Sequence, residues 1–282
     1  MAAFRHSARL RNLLHTSLLI GAMAAIAASI GWLVWGEVAV VWAAAVVAFG
    51  LAFSQNVPSS WILALLRAEP LSPAQWIDGY AVVEELSRRA NLEQAPRLYY
   101  LANPVPNAIS LGRGEHAAIA ITRGLLQLLN EREMAGVLAH EISHFRSHDI
   151  GLLNLAAILA YLTFLMASSG LMLLVLSIPF YWVSGQTPSL LLILLLGLAP
   201  HAVTLLTLAL SRTREFDADL GAAMLTGDPA GLASALDKLE MPRASYWELV
   251  FPDRARSSPW LRSHPGTPER IRRLLSLSER GS

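Results

Sequence analysis

Three long stretches of the chain contain no Asp, Glu, Lys or Arg: 12–36, 38–66 and 150–211. Each exceeds the about 20 predominantly apolar residues that a helix needs to cross a bilayer. The third is too long for one crossing, and Pro179, Gly185 and Pro188 mark a turn inside it. The pattern therefore predicts four transmembrane helices, near 13–35, 38–54, 151–176 and 189–210. These form an N-terminal hairpin (1–54) and a second hairpin (150–210). Two water-exposed blocks remain, 55–149 and 211–282, and they are expected to fold together as one domain.

In the first block, Ser72-Pro73-Ala74-Gln75-Trp76 has the pattern of a helix start, with Ser72 as N-cap and Gln75 at the position that bonds back. It predicts a helix over 73–91. Two strand candidates follow, 97–101 and 117–122, with 107–112 as a possible third ending in the turn-prone Gly112-Arg113-Gly114. A second helix-start pattern lies at Asn130-Glu131-Arg132-Glu133. The helix it opens carries Met134, Val137, Leu138 and Ile142 along one apolar face. The fold class expected is an α-rich integral membrane protein whose water-exposed α+β domain contains a small sheet.

Composition agrees: 54% of the 282 residues are apolar and 15% charged, against about 25% charged in an ordinary soluble domain. Of the Lys and Arg residues, three precede the first span, eight lie between the second and third, and eleven follow the fourth. The positive-inside rule then places both termini and both water-exposed blocks in the cytoplasm. Arg5, Arg9 and Arg11 before a run of small residues also fit a cleaved signal peptide. The length of the first run and the second span close behind it argue for retention. With no cysteine in the chain, disulfides, thiol catalysis and thiolate-bound zinc are excluded. A net charge of +1 gives no case for nucleic acid, and basic residues beside the spans suit anionic lipid.

The candidate chemistry lies on the helix opened at Asn130, in His140-Glu141-Ile142-Ser143-His144. Residues four apart share a helix face, so His140 and His144 can point at one ion, while Glu141 faces a reacting water without ligating the metal. Three fixed residues make only a moderately specific motif, and two ordinary surface histidines are the plain alternative. A catalytic zinc needs a third protein ligand and an open position. Glu215 and Asp219, again four apart, follow the fourth span in Ser211-Arg212-Thr213-Arg214-Glu215-Phe216-Asp217-Ala218-Asp219. One of these carboxylates can bind zinc while the other orients a ligand histidine. A cluster of charges that only anchors the span is the alternative there.

Together with Asp149 and Ser263-His264-Pro265-Gly266-Thr267-Pro268-Glu269-Arg270-Ile271, these motifs give the chain a resemblance to the HtpX-type heat-shock metallopeptidases, relatives of the membrane CAAX prenyl endopeptidases. The resemblance covers about 107–273. It implies a gluzincin-like catalytic domain with one Zn2+ per chain, ligated by His140, His144 and Glu215. Glu141 would be the general base and Asp219 would have a structural or ligand-orienting role. It also implies substrate contacts by Asn107, which could hold substrate backbone, and by His264 and Arg270, where a cation could steady the developing oxyanion. A satisfied surface histidine and an ion-pairing arginine are the alternatives for the last two.

The function expected is that of a zinc-dependent endopeptidase of the bacterial inner membrane. Its substrates would be polypeptides, membrane proteins among them, and its role quality control. A substrate could lie antiparallel to an exposed edge strand, for which 117–122 is the candidate. Three other readings stay open: a CAAX-type prenyl endopeptidase, a proteolytically inactive membrane scaffold, and a transporter. The last rests on His201 beside Pro200 within the fourth span.

Overall fold

The computed structural model describes residues 2–38, 41, 44, 45, 48, 59–147, 149–250 and 267–279. The second expected span, 38–54, and His264 fall outside the described residues, apart from isolated positions in that span. Two compact units are present, one of residues 1–54 and 152–210, the other of 55–151 and 211–282.

Among the described residues, the long helices of the first unit are α1 (Ala2–Trp35), α6 (Asp149–Leu176) from Leu152 onward, and α8 (Leu190–Thr226) as far as Leu210. All three are long and apolar enough to cross a membrane. Met23 packs with Leu155, Leu159 and Val203, and Ile30 packs with Met166, Leu196 and Ala199. Leu18, Trp32, Tyr161, Phe164 and Leu191 point outward. Apolar residues on both the inside and the outside are the signature of a unit solvated by lipid. The expected turn at 177–188 contains a short helix, α7 (Ile178–Ser184), closed by Gly185 at φ 65°. His201 is exposed.

The second unit holds a four-stranded mixed sheet of β1 (Glu69–Pro70), β2 (Arg97–Leu101), β3 (Ala108–Leu111) and β4 (Ala118–Thr122), in the order β1-β2-β4-β3. β2 and β4 are parallel, pairing Leu98 with Ile119, and the outer pairs are antiparallel. Alternation divides the sheet. Leu98, Ile119 and Ile121 face a core shared with Val83 and Leu86 of α3 (Ile77–Ala90) and with Val137, Leu138 and Ile142 of α5 (Glu131–Ser147). Leu101, Leu111, Ala118 and Ala120 face α2 (Ser59–Leu65) through Leu63. The remaining helices are α4 (Arg123–Leu128), α9 (Pro229–Val250) and α10 (Thr267–Ser278).

Two expectations are corrected. The 117–122 strand, β4, lies between β2 and β3 and has no free edge; β3 forms the outer edge instead. Strand order follows long-range pairing, which a local pattern does not encode. The helix expected from 73 begins at Ile77. Gln75 does bond back to the Ser72 N–H at 2.7 Å, but this side-chain bond, with the Gln75 N–H to Ser72 carbonyl bond at 3.0 Å, closes a turn ahead of the helix.

Candidate metal centre

The site is assembled from α5, the end of α8 and α10. The capping box that opens α5 is present in full: the Glu133 N–H donates to Asn130 Oδ1 at 2.9 Å and the Asn130 N–H to Glu133 Oε2 at 3.0 Å. Glu133 also accepts from Ser234 Oγ at 2.6 Å and Lys238 Nζ at 2.7 Å on α9. These bonds fix where α5 starts, and so which residues reach the site two turns later.

Along α5, Met134, Val137, Leu138 and Ile142 are buried, as the apolar pattern requires. The helix meets the end of α8 closely: a Cβ at Gly221 would collide with Ser143 Oγ, between the two histidines. It meets α9 closely too, because a Cβ at Gly136 would fall 2.9 Å from the Leu232 nitrogen. Glycine at both positions lets the helix backbones approach.

His140, His144 and Glu215 offer ligand atoms that all lie within 4.8 Å of one another; His140 and Glu215 are buried and His144 is half-buried. His140 Nε2 is 3.2 Å from His144 Nε2 and 3.5 Å from Glu215 Oε2. A tetrahedral zinc with bonds of about 2.0–2.1 Å separates neighbouring ligand atoms by about 3.3 Å, so both spacings suit such an ion. Two imidazoles and a carboxylate, with no thiolate, are also a donor set that zinc accepts.

The supporting contacts are equally specific. Asp219 Oδ1 is 3.0 Å from His140 Nδ1, and Asp149 Oδ2 is 3.1 Å from His144 Nδ1. Each histidine thus has a carboxylate behind the nitrogen that does not face the cluster, which fixes tautomer and ring orientation. Asp149, only 1% exposed, lies 3.5 Å from Arg214 Nη1. Burial alone drives the His140 imidazole towards its neutral form, but Asp219 and Glu215 outweigh it and raise it to about 10.

Arg270 is placed against the cluster. Its Nε and Nη2 donate to Asp219 at 2.7 and 2.6 Å, and its Nη1 lies 2.9 Å from Glu215 Oε2. The guanidinium thus pairs with both carboxylates, as in the ion-pairing alternative for this residue. Glu141 accepts a short hydrogen bond from the Ser110 hydroxyl of β3, a contact that sequence reasoning missed because Ser110 belongs to no motif. Asn107 is exposed at the start of β3, where its N–H donates to Thr122 Oγ1 at 2.8 Å and its carbonyl accepts from it at 3.0 Å.

The model of peptidase family M48 matches residues 73–278. A protein named Protease HtpX homolog from Syntrophobacter fumaroxidans is 36% identical over 93% of this chain and 98% of its own length. Relatives of the same name from Paraburkholderia phytofirmans and Burkholderia mallei are each 34% identical over 96% of this chain and 98% of their own. Among solved structures, S. mikatae Ste24p is similar in fold, with a TM-score of 0.53 and 19% identity. That likeness covers 97% of this chain and 66% of that one. The chain belongs to peptidase family M48, among its HtpX-type membrane metalloproteases.

Proposed function

We propose that the chain is a zinc-dependent endopeptidase of the bacterial inner membrane that cleaves misfolded membrane proteins. The observation that carries this reading is the convergence of His140, His144 and Glu215 within 4.8 Å, one residue along the helix from Glu141. One zinc ion per chain, held by these three, would polarise the scissile carbonyl and acidify a water. Glu141 is the base that receives the proton of the attacking water and returns it to the leaving amine. Ser110 steers the Glu141 carboxylate, while Asp219 and Asp149 keep the imidazoles aimed at the ligand position. Arg270 balances the charge of Glu215 and Asp219.

The outer edge of β3 is where we place the substrate backbone, antiparallel to Ala108–Leu111 and beginning beside Asn107. Main-chain hydrogen bonds would align it with little demand on side chains, which suits broad specificity. The three uncharged stretches support four spans, and the distribution of basic residues supports both termini and the catalytic domain (55–149 and 211–282) in the cytoplasm.

Cleavage of an unfolded model membrane protein by the purified full-length chain tests this reading. Activity should vanish with a chelator and return with zinc. Cleavage indifferent to the chelator would rule out the proposed chemistry.

A further inference from the structure

The helix α2 (Ser59–Leu65) has one face that is firmly held. Its Ser59 hydroxyl donates to the His116 carbonyl at 2.6 Å, and Leu63, 3% exposed, packs against Leu101, Leu111, Ala118 and Ala120 of the sheet. Its end is closed by the Leu66 N–H to the Ile62 carbonyl at 2.9 Å and the Ala68 N–H to the Leu63 carbonyl at 2.8 Å, with Arg67 at φ 53°. These contacts fix the rotation of the helix about its axis.

They also decide what points away. Trp61 is 76% exposed and Leu65 83%, and Ile62 and Leu66 are exposed between and beyond them. The spacing i, i+1, i+4, i+5 makes a single stripe along one face. A water-facing helix surface would carry charge, yet no Asp, Glu, Lys or Arg occurs anywhere in 38–66. We propose that this stripe is a lipid-docking surface: α2 lies in the membrane interface, with Trp61, Ile62, Leu65 and Leu66 against the acyl chains.

Three features favour lipid as the occupant. The uncharged stretch 38–66 is longer than the about 20 residues of one crossing, so apolar chain is left over after a span ending near residue 54. On the reading that 38–54 crosses the membrane, on which this inference rests, the leftover part is still close to the bilayer when it reaches Ser59. A tryptophan on an apolar stripe, followed at once by the exposed cation Arg67, matches the side chains that settle between acyl chains and anionic headgroups. The consequence is a second attachment of the catalytic unit to the membrane, through the sheet whose other face packs on the HExxH helix.

Because the chain has no cysteine, spin labels can be placed singly at Trp61→Cys and Leu65→Cys in the full-length protein. References are Phe164→Cys in a candidate span and Arg88→Cys on an exposed helix surface. The proteins are reconstituted in liposomes containing an anionic phospholipid, and collisions with oxygen, which concentrates in lipid, are compared with those of a water-soluble nickel chelate. The labels at 61 and 65 should match Phe164→Cys in oxygen access and show severalfold less nickel access than Arg88→Cys. Nickel access equal to that of Arg88→Cys, with Phe164→Cys still reading as lipid, overturns the inference alone. Labels reached by neither reagent mean that protein covers the stripe, which also overturns it. Nickel access at Phe164→Cys would bring down the membrane reading, and this inference with it.

Discussion

Asp219 Oδ1 stands 3.0 Å from His140 Nδ1, while the same carboxylate receives two donors of the Arg270 guanidinium. One side chain therefore links the histidine that opens the HExxH motif to a helix near the C-terminus. Replacing it by Asn should keep the shape and lose the charge that makes His140 a strong donor. Such supporting groups typically alter metal affinity by about 10–100-fold. Zinc titration of Asp219→Asn should show a loss in that range, and an unchanged affinity would limit Asp219 to packing.

Arg270 is nearly buried, with its charge shared between Asp219 and Glu215. Removing one partner of a buried ion pair costs about 3–5 kcal/mol, because the charge left behind is unbalanced. Arg270→Ala should lose about that much stability when metal-free. The loss should be smaller with zinc bound, since the ion supplies positive charge to the same carboxylates. Equal losses in denaturant unfolding with and without zinc would contradict this.

The close approach at Gly221 makes a further prediction. A methyl group there meets Ser143 Oγ, so Gly221→Ala must push the end of α8 away from α5. Glu215, six residues earlier on α8, moves with it. Zinc affinity should fall while the secondary structure seen by circular dichroism stays the same; retention of full affinity would mean that the helices relax without moving the ligands.

Much of the site was legible in the sequence, for reasons that are mostly local. The Asn130–Glu133 capping box is a contact between residues three apart, and it set the start of α5 correctly. The i, i+4 pairs His140/His144 and Glu215/Asp219 follow from helix geometry alone. Illegible were contacts between distant segments: Arg270 meets Asp219 across 51 positions and Arg214 meets Asp149 across 65. The edge strand was misassigned for the same reason, since β4 is internal only because β2 crosses over to pair with it in parallel. Ser72 and Gln75 show the opposite failure, a local signal that formed its own bond yet did not start the helix.

The cap that positions α5 should be sensitive to pH. Burial alone would raise the Glu133 carboxyl, but Lys238, Ser234 and the Asn130 N–H outweigh it and hold it below its ordinary 4.5. A carboxylate lowered on folding contributes stability that is fully present above the unfolded value and is lost as pH falls through the folded one. Glu133→Gln should cost about 1.5–3 kcal/mol at neutral pH, the range for hydrogen bonds to a charged group. The difference from the parent should shrink below pH 4.5 in unfolding experiments. A difference independent of pH would show that the charge is immaterial.

The most direct test of the metal-site chemistry is peptide cleavage by purified Glu141→Gln at a zinc content matched to the parent. Glutamine keeps the size of the side chain and leaves His140, His144 and Glu215 in place, but it cannot take the proton. The variant should hold one zinc ion per chain and cleave nothing. Parental activity in that zinc-loaded variant would contradict the role of Glu141 and the mechanism built on it.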